Sequence, residues 1–262
     1  MPDFRNALRT IFTFRWKPSL DMAAVLASCL LVTASLYTAM KIVTPDVGGG
    51  MPYFFLYAGL TACLFGVGIP LGWMAIYRKR PISDLGISRK HLGISIGLQL
   101  VLSFFQYMAT LAKSDLPSFQ ELLPLIAMTL AIAFFEALFW RGWVLLRLED
   151  AFGLIPAILL GSALYAAYHV GYGMPVDEML FLFWIGVLYA VSFRFTRSLF
   201  VLWPLYQPMG QLVTLIHDRL RLPPLASLGF IEALALMLAL VWLADKYYRK
   251  HAARQAHPAP AG

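Results

Sequence analysis

Apolar residues run along this chain in long unbroken stretches and do not alternate with polar ones. Eight stretches can be marked: about Leu20–Ile42, Pro52–Tyr77, Gly93–Ala112, Pro117–Leu148, Leu154–Tyr172, Glu178–Phe195, Ser198–Ile216 and Leu225–Ala244. A helix that crosses a bilayer needs about 20 such residues, and all eight come close. They are too long for barrel strands and show no period of two, so the predicted elements are helices. The breaks carry turn and charge signals. Thr44–Met51 holds Pro45 and three glycines, Arg78-Lys79-Arg80 closes the second stretch, and Pro81–Leu92 reads as a short amphipathic piece at the interface. Pro70 is a candidate kink. The expectation is an all-α, polytopic membrane helix bundle of about eight transmembrane helices. Residues 20–245 form a single membrane domain. A basic N-tail (1–19) reads as a surface-lying helix, and a basic C-tail (246–262) reads as disordered.

Composition supports this class. Of 262 residues, 60% are hydrophobic and 13% charged, whereas a soluble domain carries about a quarter charged residues. The net charge of +7 sits in short clusters beside the apolar runs, a pattern of topology signals that implies no nucleic-acid partner. Sixteen Lys and Arg fall on one side of an eight-span arrangement, against four (Lys41, Lys113, Arg219, Arg221) on the other. That bias places both termini in the cytoplasm. The first stretch is long enough to span and lacks a small-residue cleavage site, so it reads as a span and not as a cleaved signal. Cys29 and Cys63 lie inside apolar stretches, as packing residues do.

Ionisable residues inside such stretches are the candidates for chemistry, because each costs ~2.5–3.5 kcal/mol to insert. Glu136 lies among Phe134, Phe135, Ala137 and Leu138, and His169 lies one helical turn after Tyr165 on the next stretch. Counted from the turn that joins the two stretches, both fall well inside the bilayer, within a turn or two in depth. In a wet cavity Glu136 could take a proton from water while His169 orients that water. The structural alternatives are a buried ion pair for Glu136 and a packed histidine beside Tyr165. Arg141, five positions from Glu136, points to another helix face and reads as an anchor. Gln99 and Gln106 share a face and read as helix–helix bonds. Glu232 is a second carboxylate, which with Glu136 would suit a small transporter. There is no HExxH, and the histidines other than His169 (His91, His217, His251, His257) lie in loops or tails. Three ligands for a catalytic zinc cannot be assembled, so no metal or cofactor is expected.

Glu136-Ala-Leu-Phe-Trp-Arg141-Gly142 resembles the EExxxR-G motif of the CPBP family, the CAAX-protease and bacteriocin-processing intramembrane proteases. Tyr165-Ala-Ala-Tyr-His169 resembles that family's FxxxH motif. The resemblance covers roughly Asp84 to Leu215. It implies a metal-independent glutamic endopeptidase of the cell inner membrane, acting on a prenylated or otherwise anchored protein or peptide, with or without a membrane-protein partner. Glu136 would be the base and His169 its partner, supported by Arg141 and Tyr165. The motif's second glutamate is Ala137 here. The family's third motif, HxxxN, supplies oxyanion donors and would fall on Tyr206 and Gly210, where Tyr206 and Gln207 remain as donors. These departures leave open a catalytically inactive relative acting as a scaffold or peptide binder.

Overall fold

The computed structural model describes residues 12–42 and 50–256. Most of the basic N-tail, nearly all of the Thr44–Met51 loop and the end of the C-tail lie outside the described residues. No strand occurs among those described. Among the described residues seven helices are long and apolar enough to cross a membrane: α1 (Leu20–Ile42), α2 (Met51–Tyr77), α3 (Leu92–Ala109, continued by a short 3-10 turn), α4 (Phe119–Phe152), α5 (Leu154–Tyr172), α6 (Val176–Thr196) and α8 (Ala226–Ala256). The chain is a polytopic helical membrane bundle.

α4 is its axis. Two thirds of its most apolar window is buried, against 17% for α3 and α8, and α1, α2, α5, α6, α7 and α8 all touch it. Its start is fixed by Ser118, whose N–H and Oγ both donate to the Glu121 carboxylate at 3.1 and 2.8 Å, which satisfies otherwise unpaired groups at a helix end. Lateral bonds tie it in. Trp143 Nε1 donates to Ser28 Oγ of α1 at 3.0 Å, and Trp203 Nε1 donates to the Leu130 carbonyl at 3.0 Å. Gly142 lets the backbone of the α2–α3 connection approach, since a Cβ there would lie 2.2 Å from the Leu85 carbonyl oxygen. Cys29 and Cys63 are buried free thiols.

The seventh apolar run departs from expectation. Ser198–Ile216 is not one helix but a 3-10 turn at Leu199–Val201, further turns to Leu205, and a 12-residue helix, α7 (Tyr206–His217). At ~1.5 Å per residue, α7 covers little over half of the ~30 Å hydrocarbon layer. Pro204 has no N–H to continue a helix, whereas Pro208 falls in the first turn of α7, where its missing donor costs nothing. The run still connects the two faces. The Leu199 N–H donates to the Gly86 carbonyl at 2.9 Å, at the α2–α3 loop. α8 begins beside the opposite end of α2, where a Cβ on Gly229 would sit 2.9 Å from the Phe54 ring.

The described parts of the two tails have defined structure. Residues 13–19 are not helical. They lie extended on the α4–α5 turn, with the Arg15 and Lys17 N–H groups donating to the carbonyls of Phe152 and Ala151, both at 3.0 Å. Residues 246–256 continue α8 as helix and are not a loose tail. Lys246 and His251 stand near Ala75 and Lys79 at the end of α2. Arg78 there pairs with Asp21 of α1 at 2.6 Å, so both described ends of the chain lie at one face.

Candidate active site

Glu136 sits at the point where α4 changes winding. From Ala137 to Leu145 the backbone bonds in the wider i→i−5 pattern, a feature that recurs at functional sites. The side chain is buried, with 2% exposure, and side chains from two other helices meet it. Tyr168 of α5 donates its hydroxyl to Oε1. Gln207 and Gln211 of α7 donate their Nε2 groups to Oε2 at 2.8 and 2.7 Å. A carboxylate taken out of water requires this kind of compensation. The bonds also explain the placement of α7, because residues four apart share one helical face. Gln207 and Gln211 each keep a buried Oε1 with no hydrogen-bond partner among the described residues.

A chain of hydroxyls leads away from the carboxylate. Tyr168 Oη is 3.5 Å from Tyr172 Oη, which is 2.6 Å from Tyr57 Oη on α2. His169 lies in the same aromatic cluster. Its ring is 4.3 Å from that of Tyr168, 5.1 Å from Tyr165 and 5.5 Å from Tyr172, and its Nδ1 bonds the Tyr165 carbonyl oxygen at 2.8 Å. Among the described residues no hydrogen bond joins His169 to Glu136. The two are linked through Tyr168, which bonds one and packs against the other.

Arg141 is fully buried. Its guanidinium stands over the rings of Tyr165 at 4.8 Å and Tyr189 at 6.0 Å, and its Nε and Nη1 have no hydrogen-bond partner among the described residues. It ties α4 to α5 and α6 through aromatic faces and makes no ion pair with Glu136 among the described residues. Tyr206 packs edge-on against Tyr189 at 5.2 Å and does not reach the carboxylate. Gln106 of α3, with its amide nitrogen toward the Tyr206 carbonyl (2.9 Å) and its oxygen toward the Gly210 N–H (3.3 Å), holds α3 to α7. A Cβ on Gly210 would meet Tyr189 Oη at 2.7 Å, so the space of a side chain there is already filled. Glu232 is exposed on α8, away from this cluster. Among the described residues no three His, Cys, Asp or Glu side chains are grouped as metal ligands.

Of the α7 positions the sequence singles out (Tyr206, Gln207 and Gly210), Gln207 bonds Glu136, and Gln211 joins it. The sequence signal for that pair is Gln207-Pro-Met-Gly-Gln211, two amides at i and i+4. Tyr168, which bonds the carboxylate, is not among the residues the motifs single out; they point to its neighbour His169. The repeat Tyr165, Tyr168, Tyr172 at helical spacing would have pointed to it.

A membrane helix bundle with a buried glutamate, held by donors from two other helices and bordered by a histidine, belongs to the class of intramembrane-site proteins. Residues 118–206 match the Rce1-like family, described as type II CAAX prenyl endopeptidase Rce1-like. The match covers about a third of the chain and is a likeness to that protease family over those residues. The match contains Glu136, Arg141, Tyr165, Tyr168 and His169 and stops at Tyr206, just before the two glutamines. No curated protein sequence matches the chain.

Proposed function

We propose that the protein is an intramembrane glutamic endopeptidase that hydrolyses a peptide bond in a prenylated or otherwise membrane-anchored protein or peptide, with Glu136 as general base. The observation that carries this reading is the Glu136 carboxylate, buried in the Rce1-like region and gripped by Tyr168, Gln207 and Gln211. Glu136 accepts a proton from water as the water oxygen attacks the scissile carbonyl. It then returns the proton to the leaving amine, giving one new carboxyl and one new amino terminus. Gln207 and Gln211 orient the base, and their unpartnered Oε1 atoms suit a substrate N–H or the attacking water. His169 reaches the site through Tyr168 or by turning toward substrate. The charge bias supports the face that carries the described chain ends as the cytoplasmic one, and the cell inner membrane is the membrane this reading implies.

A second reading is a catalytically inactive relative that binds membrane peptides. It is favoured by the same geometry, because three side-chain donors already occupy both Glu136 oxygens and water must displace one of them. Purified protein in proteoliposomes with a farnesylated peptide ending in a CAAX sequence separates the two. Mass spectrometry should show a single internal cut by the wild type. Stoichiometric peptide binding with no cut product supports the second reading.

A further inference from the structure

A cleft of about 520 Å³ opens between α2 and α8, far from Glu136. Its floor is apolar: Gly68, Leu71 and Gly72 from α2, and Leu240 and Leu243 from α8. At the face that carries the chain ends, the side chains change to Lys246, Tyr247 and Lys250. A second recess of about 210 Å³ shares Ala75, Ile76 and Tyr247 with the first and adds Lys79 and His251. The two together form an apolar slot that ends in a cationic mouth.

The charges at that mouth are uncompensated. The acidic groups of the same region are already paired: Asp21 with Arg78 at 2.6 Å, Asp84 with Arg80 at 3.1 Å, and Asp245 with Arg249 at 2.7 Å. Lys79, Lys246 and Lys250 have no ion pair among the described residues, and Lys246 stands over the Trp242 ring at 4.8 Å. The slot is also open by construction. A Cβ on Gly72 would meet nothing within 4 Å, so α2 leaves unfilled the space that a larger residue would occupy.

From this we infer that the α2–α8 cleft is a binding site for one anionic phospholipid, with an acyl chain along Gly68, Gly72 and Leu243 and the phosphate at Lys246, Lys250 and Lys79. Clustered lysines at a membrane surface recognise such headgroups, and an apolar slot leading from them takes the tail. The site is independent of the protease reading, since none of these residues touches the Glu136 cluster.

Native mass spectrometry of the full chain, equilibrated with equal amounts of phosphatidylglycerol and phosphatidylcholine, tests the assignment. The wild type should retain one phosphatidylglycerol in preference to phosphatidylcholine. Lys246→Gln with Lys250→Gln should lower that preference on the order of tenfold while leaving the thermal midpoint near that of the wild type. Gly72→Leu, which extends into the slot, should reduce retention of both lipids. Equal retention of the two lipids by the wild type overturns the proposal. So does an unchanged preference in the lysine variant, or full retention by Gly72→Leu.

Discussion

At the residue scale the site turns on who bonds Glu136. Tyr168 is the donor to one oxygen, and Tyr168→Phe removes that bond without changing ring packing. A hydrogen bond to a charged group is worth about 1.5–3 kcal/mol, so cleavage should fall roughly ten- to a hundredfold, read as kcat on a membrane-anchored peptide. A rise in KM with kcat unchanged would assign the tyrosine to substrate binding. Gln207→Leu and Gln211→Leu should each lower kcat by a similar factor, since each removes one donor from the other oxygen and leaves a buried acceptor less satisfied. Tyr206→Phe is the contrast. Its ring packs on Tyr189 and its hydroxyl does not bond the carboxylate, so activity should stay within about twofold. The glutamate was legible in the sequence because a lone carboxylate in an apolar run is costly. Its partners were harder to read, because glutamine and tyrosine are inexpensive enough in a membrane helix to pass as packing. Only the i,i+4 spacing of Gln207 and Gln211 separates them from their neighbours.

At the scale of elements, α1 and α5 were readable to the residue, whereas α4 and α8 run on to Phe152 and Ala256, past the ends their apolar stretches suggest. Length and apolar composition decide a transmembrane helix before tertiary contacts do. What could not be read was the broken crossing from Ser198 to His217. Its average composition matches that of an ordinary span, and only Pro204 marks the break. The functional consequence is that α7 begins within a few residues of Gln207 and Gln211, so its first turns present both amides to α4. The close crossing at Gly142 carries another prediction. Gly142→Ala would drive a Cβ to 2.2 Å from the Leu85 carbonyl oxygen, a backbone atom that cannot swing away. Overpacking of this kind costs about 1–3 kcal/mol, so thermal unfolding in detergent should show a clearly lowered midpoint. A midpoint equal to wild type would mean that the α2–α3 connection yields freely.

For the whole molecule, the described chain ends share a face with the basic α2–α3 loop, as an even number of passes requires. Among the described residues seven helices are long and apolar enough to cross, and the stretch from Ser198 to His217 is in pieces. Lys90 and Asp115 are exposed near opposite ends of α3, so a cysteine at each reports orientation, with Cys29 and Cys63 shielded by burial. With both chain ends in the cytoplasm, Asp115→Cys should react with an impermeant maleimide in intact cells, and Lys90→Cys only after permeabilisation. The reverse pattern would invert the arrangement.

The central claim is that the buried Glu136 carboxylate acts as a base in peptide hydrolysis. Its most direct measurement is the cleavage rate of Glu136→Gln in proteoliposomes, on the same anchored peptide that the wild type cuts. The amide keeps the size of the side chain and can still bond Tyr168, but it cannot take up the proton from water. If Glu136 is the base, the variant folds correctly and shows no detectable cleavage. A Glu136→Gln protein that cuts at the wild-type rate would contradict it.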